Sequence, residues 1–356
     1  MPTPIYDTSK PVMVTGATGY LAGWIVKDLL EKGFTVHAPV RAPNDASKVG
    51  YLQDIADQSE GEIKFFKADL LVEGSYDQAM QGCSIVFHTA SPFITDVKDP
   101  QKDLVDPALN GTKNVLSSVN RTESVSRVVL TSSAVAAYGD SIETTQTPSG
   151  MLSENEWNET STLEHNAYSY SKTVAERAAW DIAKSQERWK LVVINPAMIL
   201  GPGLGPKPTS DSFSLLFEFA KGSLKSGAPH LEFGAGDVRD MAEAHLRAAF
   251  IDDANGRNLV FNKPMSVLEM AAALKTHYGR EYPLPSRQLP KFMLWLLGPM
   301  VNAAFTRKWV SRNVGHNWRG DNSKGIRELG MTYRPVEDSL IEMFEFMRER
   351  KLFDER

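Results

Sequence analysis

Near its start the chain reads Val12-Met13-Val14-Thr15-Gly16-Ala17-Thr18-Gly19-Tyr20-Leu21-Ala22-Gly23, an apolar run followed by a turn rich in glycine. The run Val12–Thr15 is typical of a buried parallel strand, and the apolar spacing over residues 20–32 predicts a helix that stops at Gly33. The chain is therefore expected to open with a strand, a turn and a helix.

The turn has the composition of a phosphate-binding loop. Gly16, Gly19 and Ala22 carry no side chain or a minimal one, so the backbone can approach a pyrophosphate at the positive N-terminus of the helix. Ala22 stands where glycine is commoner, and the packing role of that position tolerates alanine. The turn thus predicts a dinucleotide site, and a tight turn that binds nothing is the plainer alternative.

Short β-rich runs alternate with helical stretches along the first half of the chain. The runs cover residues 35–40, 63–67, 85–88, 128–131 and 191–194, and helical spacing surrounds Tyr51, Tyr76, Val115 and Ala175. This alternation predicts the α/β class with a doubly wound parallel sheet. After residue 196 a loop rich in glycine and proline interrupts the pattern. We expect a Rossmann domain over 8–197, joined by 233–262, and a smaller, interleaved C-terminal substrate domain over 198–232 and 263–356.

Composition narrows the class of protein. The 356 residues carry a net charge of -5 and no run of lysine and arginine, which disfavours nucleic-acid binding. Cys83 is the single cysteine, and the first residues lack the pattern of a signal peptide, so the reducing cytoplasm is expected. The most apolar stretch, 292–305, is too short to span a membrane, and Gly298-Pro299 is expected to break it. A lid over a pocket, plain core and a membrane-surface contact remain open for it.

The residues after the second and third strands bear on cofactor choice. An NAD enzyme usually places a carboxylate after the second strand, whereas this chain places Arg41 there and Lys48 on the next helix. Both cations are suited to a 2′-phosphate, and two solvated surface charges are the alternative. Asp69 is positioned to accept from the adenine amino group, or to cap a helix. NADP(H) is the predicted cofactor.

Tyr168 and Lys172 are four residues apart, so a helix places them on one face. An ammonium about 4 Å from the phenolate favours its ionisation by about 4 kcal/mol at an effective dielectric near 20, which predicts a lowered pKa for Tyr168. Ser133 is expected to donate a hydrogen bond to a carbonyl oxygen and Tyr168 to deliver a proton. Ser132 is the rival of Ser133, because alternation along a strand lets only one of them face the cleft.

Two further polar residues have open roles. Asn110 either holds a helix backbone open for a proton-relay water or caps that helix. His88 is expected to have a packing or turn role, since no metal-ligand spacing surrounds it. No metal site is predicted.

Together these motifs resemble the extended short-chain dehydrogenase/reductase family, in its branch of dihydroflavonol reductases, cinnamoyl-CoA reductases and yeast-type methylglyoxal or carbonyl reductases. The resemblance implies a catalytic set of Ser133, Tyr168 and Lys172 with Asn110 beside it. Further positions that it implies for the cofactor are Gly16, Thr18, Gly19, Tyr20, Leu21, Arg41, Lys48, Asp69, Leu70, Thr89, Ala90, Ser91, Tyr168, Lys172 and Pro196. A substrate pocket is expected near Phe93, Tyr138, Tyr170 and Met198.

The resemblance implies an NADPH-dependent carbonyl reductase that acts on a small-molecule aldehyde or ketone, as a monomer or homodimer. Around Tyr168 the chain lacks the aromatic and cysteine segment of the cinnamoyl-CoA branch, which disfavours that substrate. Ser133 is followed by Ala134-Val135 rather than an Asp-Glu pair, which disfavours dehydration. A sugar-nucleotide epimerase, a hydroxysteroid dehydrogenase and a non-catalytic NADP-sensing protein are the alternatives.

Overall fold

The computed structural model describes residues 2–91, 97–206, 208, 210–301 and 305–354. Its strands are β1 Val12–Thr15, β2 Thr35–Val40, β3 Glu62–Lys67, β4 Ile85–His88, β5 Arg127–Thr131, β6 Lys190–Pro196, β7 Met198–Leu200, β8 Glu232–Asp237, β9 Gly256–Val260 and β10 Lys263–Ser266. Its helices are α1 Tyr20–Glu31, α2 Ala46–Ala56, α3 Asp77–Met80, α4 Asp106–Arg121, α5 Ala167–Lys184, α6 Asp211–Lys221, α7 Val238–Phe250, α8 Val267–Tyr278, α9 Lys291–Val301, α10 Arg307–Asn313, α11 Ser323–Glu328 and α12 Val336–Glu349.

The larger sheet has the strand order β3-β2-β1-β4-β5-β6-β9, and every neighbouring pair in it is parallel. The order reverses direction beside β1, which pairs with β2 on one side and with β4 on the other. Parallel sheets of this kind bind ligands in the crevice at the carboxyl ends of the strands beside that reversal. The doubly wound parallel sheet predicted from the sequence is confirmed.

Apolar cores cover both faces of this sheet, which is why its central strands are apolar without alternation. On one face, α1 packs through buried residues such as Ile25 and Leu29, and α7 through Met241. On the other face, α4 contributes Val115 and Leu116. The two layers hold β1 and β4 rigidly, and so fix the turns that follow them.

A smaller sheet, β10-β8-β7, packs with α6, α8 and α12 around its own core. We call these elements the small unit, as opposed to the large sheet with its covering helices. The chain alternates between the two units, because β8 belongs to the small sheet whereas β9 returns to the edge of the large one. Arg239 on α7 forms ion pairs with Asp237 at 2.6 Å and with Glu342 on α12 at 2.7 Å. The exact division into domains, 8–197 with 233–262 against 198–232 with 263–356, stays a prediction.

The apolar stretch after residue 291 differs from its prediction. Gly298 and Pro299 do not break it, since α9 continues through both to Val301. Proline lacks one backbone donor, and this close to a helix end the loss of one hydrogen bond does not stop the helix. Most of the α9 side chains are exposed, so plain core is wrong for this segment. No helix among the described residues has both the length and the apolar character to cross a membrane.

Candidate active site

A cleft of about 530 Å³ lies at the carboxyl ends of the central strands, between the large sheet and the small unit. Its volume is within the range of small-molecule sites. Of the residues predicted for the site, twelve line it: Gly16, Gly19, Tyr20, Leu21, Thr89, Ser91, Ser133, Tyr138, Tyr168, Lys172, Pro196 and Met198. Residues far apart in the sequence thus meet in one cleft, as the motifs predicted.

The glycine-rich turn forms one end of the cleft and has no room for side chains. Gly16 has a φ of +66°, and a Cβ there would lie 3.0 Å from the Cα of Ala90. The turn is closed by a hydrogen bond of 2.8 Å from the Gly19 amide to the Gly16 carbonyl. Helix α1 begins directly afterwards with Gly19 as its N-cap, and no side chain caps it. Bare backbone at a helix N-terminus fits the pyrophosphate of a dinucleotide.

Two aromatic residues of α1 contact the small unit. The Tyr20 hydroxyl donates to the carbonyl of Gly201 at 2.6 Å, and the Trp24 indole donates to that of Pro202 at 3.0 Å. The Tyr20 hydroxyl is therefore committed to holding the two units together, while its ring still lines the cleft. Thr18, also predicted for the cofactor, is exposed on the turn and does not line the cleft.

The predicted cofactor cations lie beyond the cleft, next to the end of β2. Arg41 follows that strand directly and is exposed, and Lys48 is exposed on α2 with its ammonium 3.7 Å from Asp45. Asp69 follows β3, and its Oδ1 accepts from the Leu71 amide at 2.9 Å. That contact forms a local turn and leaves the second carboxylate oxygen for another donor. Leu70 packs under α4, where a Cβ on Gly111 would meet its side chain at 2.5 Å.

The loop after β4 is tied to β1 through Thr15. The Thr15 hydroxyl accepts from the Thr89 amide at 3.1 Å and from the Ala90 amide at 3.0 Å, and it contacts His88 Nδ1 at 3.1 Å. This network holds the loop against the glycine turn, which agrees with a turn role for His88. Burial and the nearby Lys172 lower the pKa of His88 to about 3, so its ring is neutral.

Ser132 and Ser133 point in opposite directions, as strand alternation requires. The Ser132 hydroxyl donates to the buried carboxylate of Glu176 at 2.5 Å. Ser133 lines the cleft within hydrogen-bonding reach of the Tyr168 phenol. Of the two candidates, the structure therefore brings Ser133 to Tyr168.

The pKa of Tyr168 differs from its prediction. Although 42% of the residue is exposed, desolvation in the cleft raises the pKa of the phenol, and the charge of Asp211 raises it further. The hydrogen bond with Ser133 opposes both effects. The Lys172 ammonium lies 5.7 Å from the centre of the tyrosine ring and does not reverse the shift. Tyr168 is therefore a protonated phenol at neutral pH. The prediction of a lowered pKa, which assumed an ammonium about 4 Å from the phenolate, is wrong.

Lys172 is held by the loop after β4. Its Nζ donates to the Ser91 hydroxyl at 2.9 Å. Burial lowers the pKa of Lys172 to about 8, because desolvation penalises the charged form. The amine is thus close to its titration point near neutral pH, which is a common property of residues in active sites.

Three predicted residues lie apart from the cleft or outside the described chain. Asn110 is exposed in the interior of α4, whose N-cap is Val105, so the helix-cap alternative is wrong and the side chain does not line the cleft. Tyr170 does not line the cleft either. It follows Tyr168 by two residues on α5, and side chains two residues apart on a helix point to nearly opposite sides. Phe93 lies outside the described residues.

Sequence reasoning missed several residues. Ser210, Asp211 and Ser212 enter the cleft from the start of α6, and Phe233 and Gly234 enter it from β8. Desolvation raises the pKa of Asp211. The polar triplet at a helix start was a signal for this wall, but nothing in the sequence tells which loop folds back over the sheet. Among the described residues, no cluster of three or more His, Cys, Asp or Glu side chains is placed to hold a metal.

A second missed residue, Glu176, supports the site from behind. It is 1% exposed and pairs with Arg257 of β9 at 2.6 Å. It also accepts from Ser132 and, at 2.8 Å, from Asn195 at the end of β6. Glu176 follows Lys172 by one helical turn, so this buried carboxylate fixes α5 against three strands of the sheet.

Comparisons with known proteins agree with this geometry. The sequence model of the NAD dependent epimerase/dehydratase family matches residues 12–262. Cinnamoyl-CoA reductase CAD2 of Medicago truncatula is 38% identical over 346 residues, 96% of this chain and 96% of that protein. Anthocyanidin reductase of Arabidopsis thaliana is 35% identical over 283 residues, 76% of this chain and 82% of that protein.

A solved structure gives the same picture. The yeast methylglyoxal/isovaleraldehyde reductase Gre2, in complex with NADPH, superposes with a TM-score of 0.77 at 26% identity, over 96% of this chain and 99% of that one. Since cinnamoyl-CoA reductases are among the relatives, the exclusion of that substrate stays a prediction. The chain belongs to the NAD dependent epimerase/dehydratase family and is a reductase of the extended short-chain dehydrogenase/reductase type with an NAD(P)-binding Rossmann domain.

Proposed function

We propose that the protein is an NADPH-dependent carbonyl reductase that interconverts aldehydes or ketones with alcohols. The observation that carries the proposal is the meeting of Ser133, Tyr168 and Lys172 on one wall of the cleft whose end is the glycine turn. A hydrogen-bond donor, a proton donor and a cation beside a dinucleotide site are the groups that carbonyl reduction requires.

A dinucleotide held at the glycine turn of Gly16 and Gly19 would supply hydride for the carbonyl carbon. Ser133 donates a hydrogen bond to the carbonyl oxygen and stabilises the negative charge that develops there. Tyr168 gives its phenolic proton to that oxygen. Its raised pKa keeps the phenol protonated at neutral pH, which favours the direction of reduction. Lys172, held by Ser91, places a positive charge beside the phenolate that forms.

The preference for NADPH rests on Arg41 and Lys48. Both are exposed at the end of the cofactor-binding half of the sheet, where a carboxylate would be expected for NAD. The guanidinium of Arg41 can hold a 2′-phosphate through paired charge-assisted hydrogen bonds. The yeast relative was solved with NADPH, which agrees with this preference.

The substrate side of the cleft is mostly apolar. Tyr138, Met198 and Phe233 line it, and the start of α6 adds a polar wall with Ser210, Asp211 and Ser212. These walls suit an aldehyde or ketone with an aliphatic or aromatic body. The phosphates of a nucleotide sugar would meet Asp211 without a compensating cation among the described lining residues, apart from Lys172. This charge pattern favours a carbonyl reductase over the alternative of a sugar-nucleotide epimerase.

The test is NADPH oxidation against a panel of aldehydes, diketones, β-ketoesters, flavanonols, steroids and cinnamoyl-CoA. We expect turnover of at least one aldehyde or ketone, and a Tyr168→Phe variant that binds NADPH normally but turns over about 10²-fold to 10⁴-fold more slowly. Tyr170→Phe on the same helix is the matched control and should be near wild type.

Three results would contradict the proposal. Near-normal turnover of the Tyr168→Phe variant would show that Tyr168 is not the proton donor. Dinucleotide that stays bound through many turnovers of a nucleotide sugar would show an epimerase instead, and binding of NADPH without turnover of any substrate would indicate a sensing protein.

A further inference from the structure

Residues 282–320 differ in charge from the rest of the protein. The chain has a net charge of -5, yet this stretch contains no aspartate or glutamate. It contains six cationic side chains: Arg287, Lys291, Arg307, Lys308, Arg312 and Arg319. A basic segment of this length in an acidic protein is a candidate for contact with an anionic partner.

Helix α9 lies within this stretch and is apolar on nearly every face. Apart from Lys291, its residues are Phe292-Met293-Leu294-Trp295-Leu296-Leu297-Gly298-Pro299-Met300-Val301. Three of them on one face are strongly exposed: Phe292 by 71%, Leu296 by 54% and Met300 by 83%. Their spacing of four makes a continuous apolar stripe along the helix.

The opposite face of α9 holds the helix to the protein, and Lys291 at its start donates to the Ser311 carbonyl at 2.8 Å. Gly298 is buried against Phe305 and α10, where a Cβ would lie 3.2 Å from the Phe305 side chain, and Leu294 is partly buried. A helix that is apolar all round is normally buried in a core or in lipid. Here no α9 residue is among those that line the cleft, so the helix is not a wall of the site as described.

The cations beside the helix are of two kinds. Arg312 is neutralised by Asp140 and by Glu143 at 2.6 Å. Arg307 stacks over the Trp295 ring at 4.8 Å, and Lys308 is exposed next to it. Neither Arg307 nor Lys308 has a carboxylate partner within the part of the chain that the structure describes. Free positive charge therefore adjoins the apolar helix.

We propose that α9, with Arg307 and Lys308 at the start of α10, docks this enzyme on an anionic lipid surface. Exposed Phe, Trp and Leu side chains with basic residues beside them are the groups through which interfacial helices bind anionic membranes, and here α9 supplies the apolar groups and α10 the cations. The apolar stripe would enter the region below the headgroups, and the two cations would meet anionic headgroups. The inference is independent of the reaction, because it uses no residue of the cleft.

The experiment is flotation of the full-length enzyme with phosphatidylcholine vesicles, with and without phosphatidylserine, at low and high salt. We expect binding to the vesicles that contain phosphatidylserine, and its loss at high salt, since salt screens headgroup attraction. Phe292→Ser combined with Met300→Ser should weaken the binding about tenfold or more, because less apolar surface enters the lipid. Arg307→Glu combined with Lys308→Glu should weaken it to a similar extent.

Matched controls distinguish a specific effect of α9 and its neighbouring cations on vesicle binding from a general loss of apolar surface or charge. Ile5→Ser alters a side chain that is 72% exposed elsewhere, and Lys184→Glu reverses an exposed charge on α5; both should bind vesicles like the wild type. NADPH affinity and melting temperature report that every variant is folded. The proposal would be overturned if the enzyme floated with neither kind of vesicle. So would self-association that Phe292→Ser abolishes without any vesicle binding, since α9 would then be a contact between two copies.

Discussion

The Ser132 hydroxyl donates to the buried carboxylate of Glu176 at 2.5 Å, and this contact turns the neighbouring Ser133 toward Tyr168. Glu176 is committed on its other side to Arg257, 2.6 Å away. The orientation of the cleft serine is thus fixed by a carboxylate two helical turns beyond the tyrosine.

The two serines should respond differently to alanine. Ser133→Ala should reduce kcat by about 10²-fold with little change in melting temperature, because it removes a hydrogen bond made in the transition state. Ser132→Ala should lower stability by about 1 kcal/mol, because it removes one of the hydrogen bonds to the buried carboxylate of Glu176, which keeps its bonds with Asn195 and Arg257. Steady-state kinetics and thermal unfolding of both variants test this. The reverse pattern would mean that the wrong serine faces the cleft.

The buried ion pair of Glu176 and Arg257 should dominate local stability. Glu176→Gln leaves the Arg257 guanidinium, which is 7% exposed, without its counter-charge, and should lower the free energy of unfolding by about 3 to 5 kcal/mol. Urea unfolding measures the loss. The matched control is Glu159→Gln, which breaks an exposed pair with Arg177 and should change stability little. Equal small losses in both variants would contradict a supporting role for the buried pair.

Lys172 should titrate well below a free lysine. Its folded pKa of about 8 lies below that of a free lysine, about 10.4, so the unfolded chain binds more protons between these values. Stability from this group therefore rises with pH through that window and is least favourable below pH 8. Carbon NMR of the reductively methylated protein should show one amine that titrates near 8, and Lys172→Arg should remove that signal. NADPH is an anion and should raise the pKa of Lys172. A Lys172 signal that titrates near the value of a free lysine, about 10.4, would refute the shift.

Cofactor choice should depend on Arg41. A 2′-phosphate carries close to two negative charges, and each charge-assisted contact to it contributes about 1.5 to 3 kcal/mol. Arg41→Ala should therefore raise the Michaelis constant for NADPH roughly tenfold to a hundredfold and leave that for NADH nearly unchanged. Lys48→Ala should act in the same direction but more weakly, because this exposed ammonium is screened and already lies near Asp45. If Arg41→Ala weakened the binding of NADPH and of NADH equally, Arg41 would be a surface charge without a role in cofactor choice.

The sequence alone was enough to predict the architecture of the sheet and the main chemical groups of the site. The apolar run Val12–Thr15, the glycine turn after it and the alternation of short strands with helices predicted the parallel sheet, and the structure confirms it. The spacing of Tyr168 and Lys172 placed both on one face of α5, where they are found. Patterns of this kind are local: a strand, a turn or a helix face depends on residues within a few positions of each other.

Only the tertiary structure decided what depends on distant neighbours. Ser133 rather than Ser132 faces Tyr168 because Glu176, 44 residues after Ser132, accepts the Ser132 hydrogen bond. The pKa of Tyr168 rises rather than falls because desolvation in a cleft, together with Asp211 on α6, outweighs an ammonium on the same helix. Asn110 does not cap α4, because the helix begins at Asp106, and its side chain is exposed and does not line the cleft. Burial and charge contacts between remote segments have no local sequence signature, so the pattern that predicts an element does not determine what surrounds it.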